Sequence, residues 1–266
     1  MRRRSRRRPV DSVRNIFAIA GKELRGYFAS PMGYILVGLF ALLFGAFFYV
    51  YLTGFAERSQ QMAMSGGGVL NVNEWLIRGV LHNVAIIILF IMPMVTMRTY
   101  AEERRSGTME LLLTSPITDM QIILGKFLGA MGLFTAMLLV TAIDIAILFR
   151  IGNPELKPIL AGYLGLLLLG GCFLSVGLLI SSLTKHQMVA GGVTFAVFLL
   201  LWIVNWFADS VGPTGRTIVS FLSITEHLDD FTKGIIDTKH IVYYLSFITF
   251  GLFLTAKSVD SERWRG

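Results

Sequence analysis

The chain has 266 residues, 54% of them hydrophobic and 15% charged, with a net charge of +7 and a mean hydropathy of +0.65. Soluble domains carry about 25% charged residues, so the composition excludes an ordinary soluble enzyme and indicates a membrane protein. The basic balance forms no stripe interleaved with aromatics, which argues against a nucleic-acid partner and for anionic membrane lipid.

Residues 1–10, MRRRSRRRPV, form a basic arm expected to be disordered and to hold the N-terminus in the cytoplasm. Pro9 and a polar helix follow it, so it is not a twin-arginine export signal. Residues 11–30 read as an interfacial amphipathic helix. Val13, Ile16, Phe17, Ala20, Leu24, Tyr27 and Phe28 recur at helical spacing, with Arg14, Lys22, Glu23 and Arg25 largely elsewhere on the wheel. Ser30-Pro31 ends this helix and starts the next, with Ser30 as cap and Pro31 in the first helical position.

Six apolar spans are expected, at about 32–53, 80–97, 120–149, 159–183, 188–208 and 241–256. A mixed loop around Ser65-Gly66-Gly67-Gly68 separates the first two, and Asn71 to Glu74 offers a capped helix start before Trp75. Pro93 is expected to kink the second span. Thr118-Asp119-Met120-Gln121 is a capping box at the third, whose Lys126 is expected to snorkel to the interface. Thr184 to Gln187 joins the fourth and fifth as a tight hairpin. The loop 209–240 contains a second capping box, Ser223-Ile224-Thr225-Glu226, then Leu228, Phe231, Ile235 and Ile236 at helical spacing. It reads as short helices that either re-enter the bundle or lie on its surface. Residues 257–266 read as a tail.

Lysine and arginine set the orientation. With six spans, 17 of the 24 basic residues fall on one side and seven on the other. The heavier side is expected to be cytoplasmic, with both termini and the loop 98–126. In that loop the charged run Glu102-Glu103-Arg104-Arg105 precedes the short apolar patch Leu111-Leu112-Leu113. It fits a docking surface for another protein or a connector lying on headgroups.

Motifs for chemistry are sparse. Gly21-Lys22-Glu23 and Gly125-Lys126-Phe127 lack the spacing of a phosphate loop. The four histidines are scattered, and the methionines more readily fill gaps between helices than bind copper. Cys172 reads as a buried apolar residue. Asp144 is the one formal charge deep in a span and is the candidate intramembrane polar site. It reads either as a hydrogen-bonded structural acid or as a proton or ion site in a secondary transporter. The glycines at 125, 129, 132, 162, 165, 170, 171 and 177 allow close helix packing in a compact bundle, with a dimer as one outcome.

Several of these motifs together resemble a known family. Gly21-Lys22-Glu23-Leu24, Tyr27-Phe28-x-Ser30-Pro31 and the segment from Glu102 to Pro116 are similar to those of ABC-2-type permeases. His227 to Asp237 and Arg263-Trp264-Arg265 bring the likeness closer to the gliding-motility-associated and nitrous-oxide-reductase-accessory permeases. The resemblance implies an all-α, six-span membrane subunit without its own catalytic residues or cofactors, in the bacterial cytoplasmic membrane. ATP and magnesium would bind a separate cytoplasmic ATPase dimer. A second permease, identical or related, would complete the complex, and an accessory envelope protein is a further partner the resemblance allows. It also implies that Glu102, Glu103, Arg104, Gly107, Thr108, Glu110, Leu111 and Leu113 contact the ATPase, with Pro116 ending the coupling helix and Lys22, Glu23 and Arg25 forming the other edge. The outcome would be export, or mechanical work on an envelope partner.

Overall fold

The computed structural model describes residues 9–66, 68, 70–108, 117–204 and 223–263. The described residues are helical, without strands. α1 spans Pro9–Ala29 and α2 Pro31–Met64. A π-helical turn, Asn73–Ile77, leads into α3, Arg78–Thr96, which continues through Pro93, and α4 is the short helix Ala101–Ser106. α5 spans Asp119–Ile151, α6 Leu156–Leu183 and α7 Gln187–Ile203. α8 is Glu226–Thr232 and α9 Thr238–Arg263. Among the described residues five helices are long and apolar enough to cross a membrane, and the 17-residue α7 is a shorter apolar helix.

The long helices alternate in direction. α2 starts beside the end of α3, where Tyr27 of the preceding helix donates from its hydroxyl to the Val95 carbonyl at 3.3 Å. Its other half reaches Trp75, which packs on Tyr51 and Phe55 before α3 turns back. α6 begins where Asn73 accepts from the Glu155 amide at 3.2 Å and ends where Ser182 donates to Ser258 of α9 at 2.9 Å. α4 therefore lies at one end of the bundle and α8 at the other, where Asp229 meets Arg78.

α6 is the central helix. Its glycines admit neighbours on several sides, because a Cβ at Gly170 would strike the Phe134 ring and one at Gly165 would come within 2.7 Å of Phe231 Cβ. Around it Phe134 meets Phe40 edge-on and Phe173 stacks on Phe198 at 4.2 Å. The close packing expected from the glycines is thus intramolecular here: Gly125 and Gly129 of α5 seat α1.

Several boundaries differ from the sequence reading. Residues 54–64, expected in a loop, continue α2, because nothing between Glu57 and Met64 breaks a helix before Ser65-Gly66. Residues 257–263, expected in a tail, continue α9, with Val259 buried. α1 buries the face carrying Ile19, Ala20 and Glu23 against α5 and leaves Val13 and Phe17 53% and 64% exposed. Ser30 holds the cap position with extended backbone, but its hydroxyl donates backward to the Tyr27 carbonyl at 3.3 Å. The expected box at Thr118 is complete, with the Thr118 amide donating to Gln121 Oε1 at 3.3 Å. At Ser223 half of the box forms: its hydroxyl accepts from the Glu226 amide at 3.3 Å.

Candidate functional site

The α4 end holds a buried charge cluster assembled from three elements. Lys126 sits two turns into α5, with 2% of its side chain exposed. Its Nζ donates to Glu23 Oε1 of α1 at 3.0 Å, to Glu103 Oε1 of α4 at 2.7 Å and to the Thr99 carbonyl at 3.0 Å. The ammonium also lies 5.1 Å from the Tyr100 ring centroid. An ammonium has three protons to give, and all three have acceptors. The expectation that Lys126 snorkels to the interface is therefore corrected. Snorkelling answers an unmet charge, and this charge is met inside the fold.

Glu23 reaches Lys126 because α1 approaches α5 closely. A Cβ on Gly129 would lie 2.6 Å from Glu23 Cβ, and one on Gly125 would lie 2.6 Å from Ile19 Cβ. Gly33 does the same for the next junction, since a Cβ there would meet the Tyr27 carbonyl oxygen at 2.5 Å. Burial pushes the Tyr27 phenol up to about 12, and the charge of Glu23 adds to that, so its hydroxyl remains a donor at working pH.

α4 is too short to hold itself. The amides of Tyr100 and Ala101 at its start both donate to Ser181 Oγ of α6, at 3.0 and 3.1 Å, and that hydroxyl donates in turn to the Met97 carbonyl at 3.3 Å. Ser181 is thus a cap supplied from a distant helix. The sequence reading missed it, and no local pattern identifies a cap that lies 80 residues away. At the other end Gly107 takes φ +73°, a left-handed stop that suits glycine.

The predicted coupling residues divide between two roles. Glu23 and Glu103 turn inward to Lys126. Lys22, Arg25, Glu102, Gly107 and Thr108 are exposed, and Arg104 is half-buried. Glu110, Leu111, Leu113 and Pro116 lie outside the described residues. Beside the cluster a cleft of about 300 Å³ is lined by Tyr27, Met32, Leu36, Arg98, Glu102 and Glu103, among others. It joins an apolar floor to a charged rim.

Asp144 stands apart from this end, half-exposed on α5, seven residues before the helix terminus, and no hydrogen bond joins it to the described residues. Its nearby hydroxyls, Thr141 and Tyr163, bond to each other at 2.7 Å. Of the histidines expected to be scattered, His227 and His240 are brought together at the α8 end. Among the described residues no group of three or more metal-binding side chains converges.

Comparison with known proteins agrees with this architecture. The family described as ABC-2 family transporter protein matches residues 17–256. The probable multidrug ABC transporter permease YbhR of Escherichia coli K12 is 26% identical over 204 residues, covering 70% of this chain and 54% of the relative. Its counterpart in Escherichia coli O157:H7 matches to the same extent. The chain spans about half the length of these curated relatives. With the matched region running from within α1 to within α9, the chain belongs to the ABC-2 family of transporter proteins.

Proposed function

We propose that this chain is the six-span permease subunit of an ATP-driven exporter of the bacterial cytoplasmic membrane, with a separate cytoplasmic ATPase dimer docking at the α4 end. The observation that carries the reading is the Lys126 cluster. It ties α4, the helix in the predicted coupling loop, to both α1 and α5 through one ammonium. A displacement of α4 by an ATPase would move Glu103, and through Lys126 it would reach a 33-residue helix. Exposed Glu102 and Arg105 would give the docking its register, because rim charges set orientation.

The charge asymmetry favours placing the α4 end in the cytoplasm, with both termini beside it. A second permease copy or a related chain would complete the transporter. The curated relatives are named as probable multidrug permeases, which favours export of amphipathic solutes. The likeness of His227 to Asp237 to the gliding-motility and nitrous-oxide-reductase-accessory subgroup favours work on an envelope partner instead.

Co-purification of the tagged chain from native membranes tests the docking. A phosphate-loop ATPase is expected to accompany the parent chain and to be lost from Glu102→Lys combined with Arg105→Glu. Both side chains are exposed, so the fold should survive their reversal. If no ATPase accompanies the parent chain, the docking reading is wrong.

A further inference from the structure

At the α8 end, two buried histidines share a single hydrogen bond. His227 lies in the first turn of α8 and His240 in the first turn of α9, with their Nδ1 atoms 2.6 Å apart. They are 8% and 5% exposed. His227 stacks on Tyr243 with ring centroids 3.9 Å apart. His240 Nε2 lies 2.8 Å from Asp230 Oδ2. Nothing in the ATPase-coupling end accounts for this arrangement.

We propose that His227, His240 and Asp230 form a proton-binding latch that keeps α8 against α9 with no added proton or one, and lets go when a second proton arrives. The limit follows from the count of protons. With both rings neutral, His240 donates from Nε2 to Asp230 and accepts at Nδ1 from the His227 Nδ1–H. The first added proton is absorbed by a change of tautomer. The new proton goes to His227 Nε2 and the shared proton passes from His227 Nδ1 to His240 Nδ1, so His240 becomes an imidazolium that donates from Nδ1 to His227 and from Nε2 to Asp230. The Asp230 carboxylate balances that charge. A second proton makes both rings imidazolium. Two N–H groups then face each other across a 2.6 Å gap, and two positive charges stand beside one carboxylate in a buried site. The contact must part.

Among the described residues, the charged groups around the pair are paired or exposed. On α8, burial alone would raise the Asp229 carboxyl, but Lys233 at 2.7 Å and Arg78 of α3 at 2.6 Å hold it below its usual range. Burial likewise opposes His240 and Lys233 at Asp230, and the net direction is again down. Both carboxylates therefore stay charged until pH falls below the ordinary aspartate range, well under the interval of about pH 5–8 in which histidine titrates. Glu226 of α8 is exposed. On the turn and the start of α9, Asp237 pairs with Lys239 at 3.1 Å. α9 adds the phenols Tyr243 and Tyr244, and α6 adds Cys172, whose thiol donates to the Tyr244 carbonyl at 3.5 Å. His82 of α3 packs on Trp202 and feels the charges of Asp229 and Arg78.

The segment is short, and beyond the latch Leu228 and Phe231, buried against α6, and the Arg78–Asp229 pair hold it. α8 has seven residues, and Gly234 after it takes φ +84° against Pro158. Release would part α8 from the start of α9 and free the turn 233–237 between them.

Hydrogen–deuterium exchange of the full chain in lipid nanodiscs at pH 7.5 and 5.0 tests the latch, with rates corrected for intrinsic chemistry. Amides of 223–240 are expected to exchange at least tenfold faster at pH 5.0, while those in the middle of α6 do not change. His227→Phe keeps a ring against Tyr243 but cannot hydrogen-bond, and His240→Gln keeps a donor for Asp230. Each is expected to remove the pH dependence, with melting curves confirming that it is folded. Histidine ¹⁵N resonances of the parent chain should show two separate protonation steps, a reading that needs no variant. Equal corrected exchange at both pH values, or a single shared protonation step, overturns the latch.

Discussion

A lysine with 2% of its side chain exposed persists only where acceptors surround it, and Lys126 has three. Replacing it with methionine keeps much of the volume but leaves Glu23 and Glu103 facing each other without a cation. Lys126→Met is therefore expected to destabilise the protein by about 3–5 kcal/mol, read as a fall in melting temperature in detergent. Adding Glu23→Gln and Glu103→Gln should restore part of the loss, since the penalty lies in the stranded charges. The sequence shows a lysine near a helix start, which is ambiguous, and its partners lie 103 and 23 residues away. Asp144 is the converse case, legible as an anomaly because a charge in a span is rare, yet without a partner among the described residues. At a helix centre an aspartate costs about 2.5–3.5 kcal/mol to insert, and less toward the helix end. Asp144→Leu is expected to raise the melting temperature and leave ATPase association intact. A transporter that works through this carboxylate would instead lose its ion coupling.

Helices pack at the distances their small residues permit, and the α1–α5 contact turns on that. At Gly129 an added methyl would lie 2.6 Å from Glu23 Cβ and 3.1 Å from the Ala20 carbonyl oxygen, and that backbone cannot step aside. At Gly132 the nearest atom is a flexible Leu24 methyl at 3.4 Å. Gly129→Ala should cost about 1–3 kcal/mol and weaken the Glu23–Lys126 bridge. Gly132→Ala should be neutral or stabilising, by up to about 1 kcal/mol of helix propensity. Thermal unfolding of the two variants side by side checks the contrast. The glycine spacing was visible in the sequence, but glycines mark a close approach without saying which helix approaches. The inward face of α1, where Ala20 is buried and Leu24, Tyr27 and Phe28 pack on the core, was legible only in part for a related reason. Glu23 counts as polar on a helical wheel, and only the distant Lys126 makes it an inward residue. α2 ran past its expected end because hydropathy stops where charges begin, whereas the helix stops where the backbone breaks, at Ser65-Gly66.

Across the whole molecule, the long helices alternate between an end marked by α4 and an end marked by α8, and this order is what hydropathy and loop lengths disclose most directly. Spans are long and redundant signals, so a single misplaced boundary leaves the topology intact. The polar ties between distant positions are not redundant: Ser181 to Tyr100, Arg78 to Asp229 and Lys126 to Glu23 are single contacts. The alternation has a direct consequence, because Ser106 beside α4 and Lys239 at the start of α9 are both exposed and should face opposite compartments. Cys172 is fully buried and supplies a quiet background for thiol labelling. With a membrane-impermeant maleimide, Lys239→Cys is expected to label in intact cells and Ser106→Cys only in inside-out vesicles. Labelling of both from the same side would break the alternation. The reverse pattern would keep the alternation but invert the chain, moving the proposed ATPase contact out of the cytoplasm, where no ATP supply could drive it.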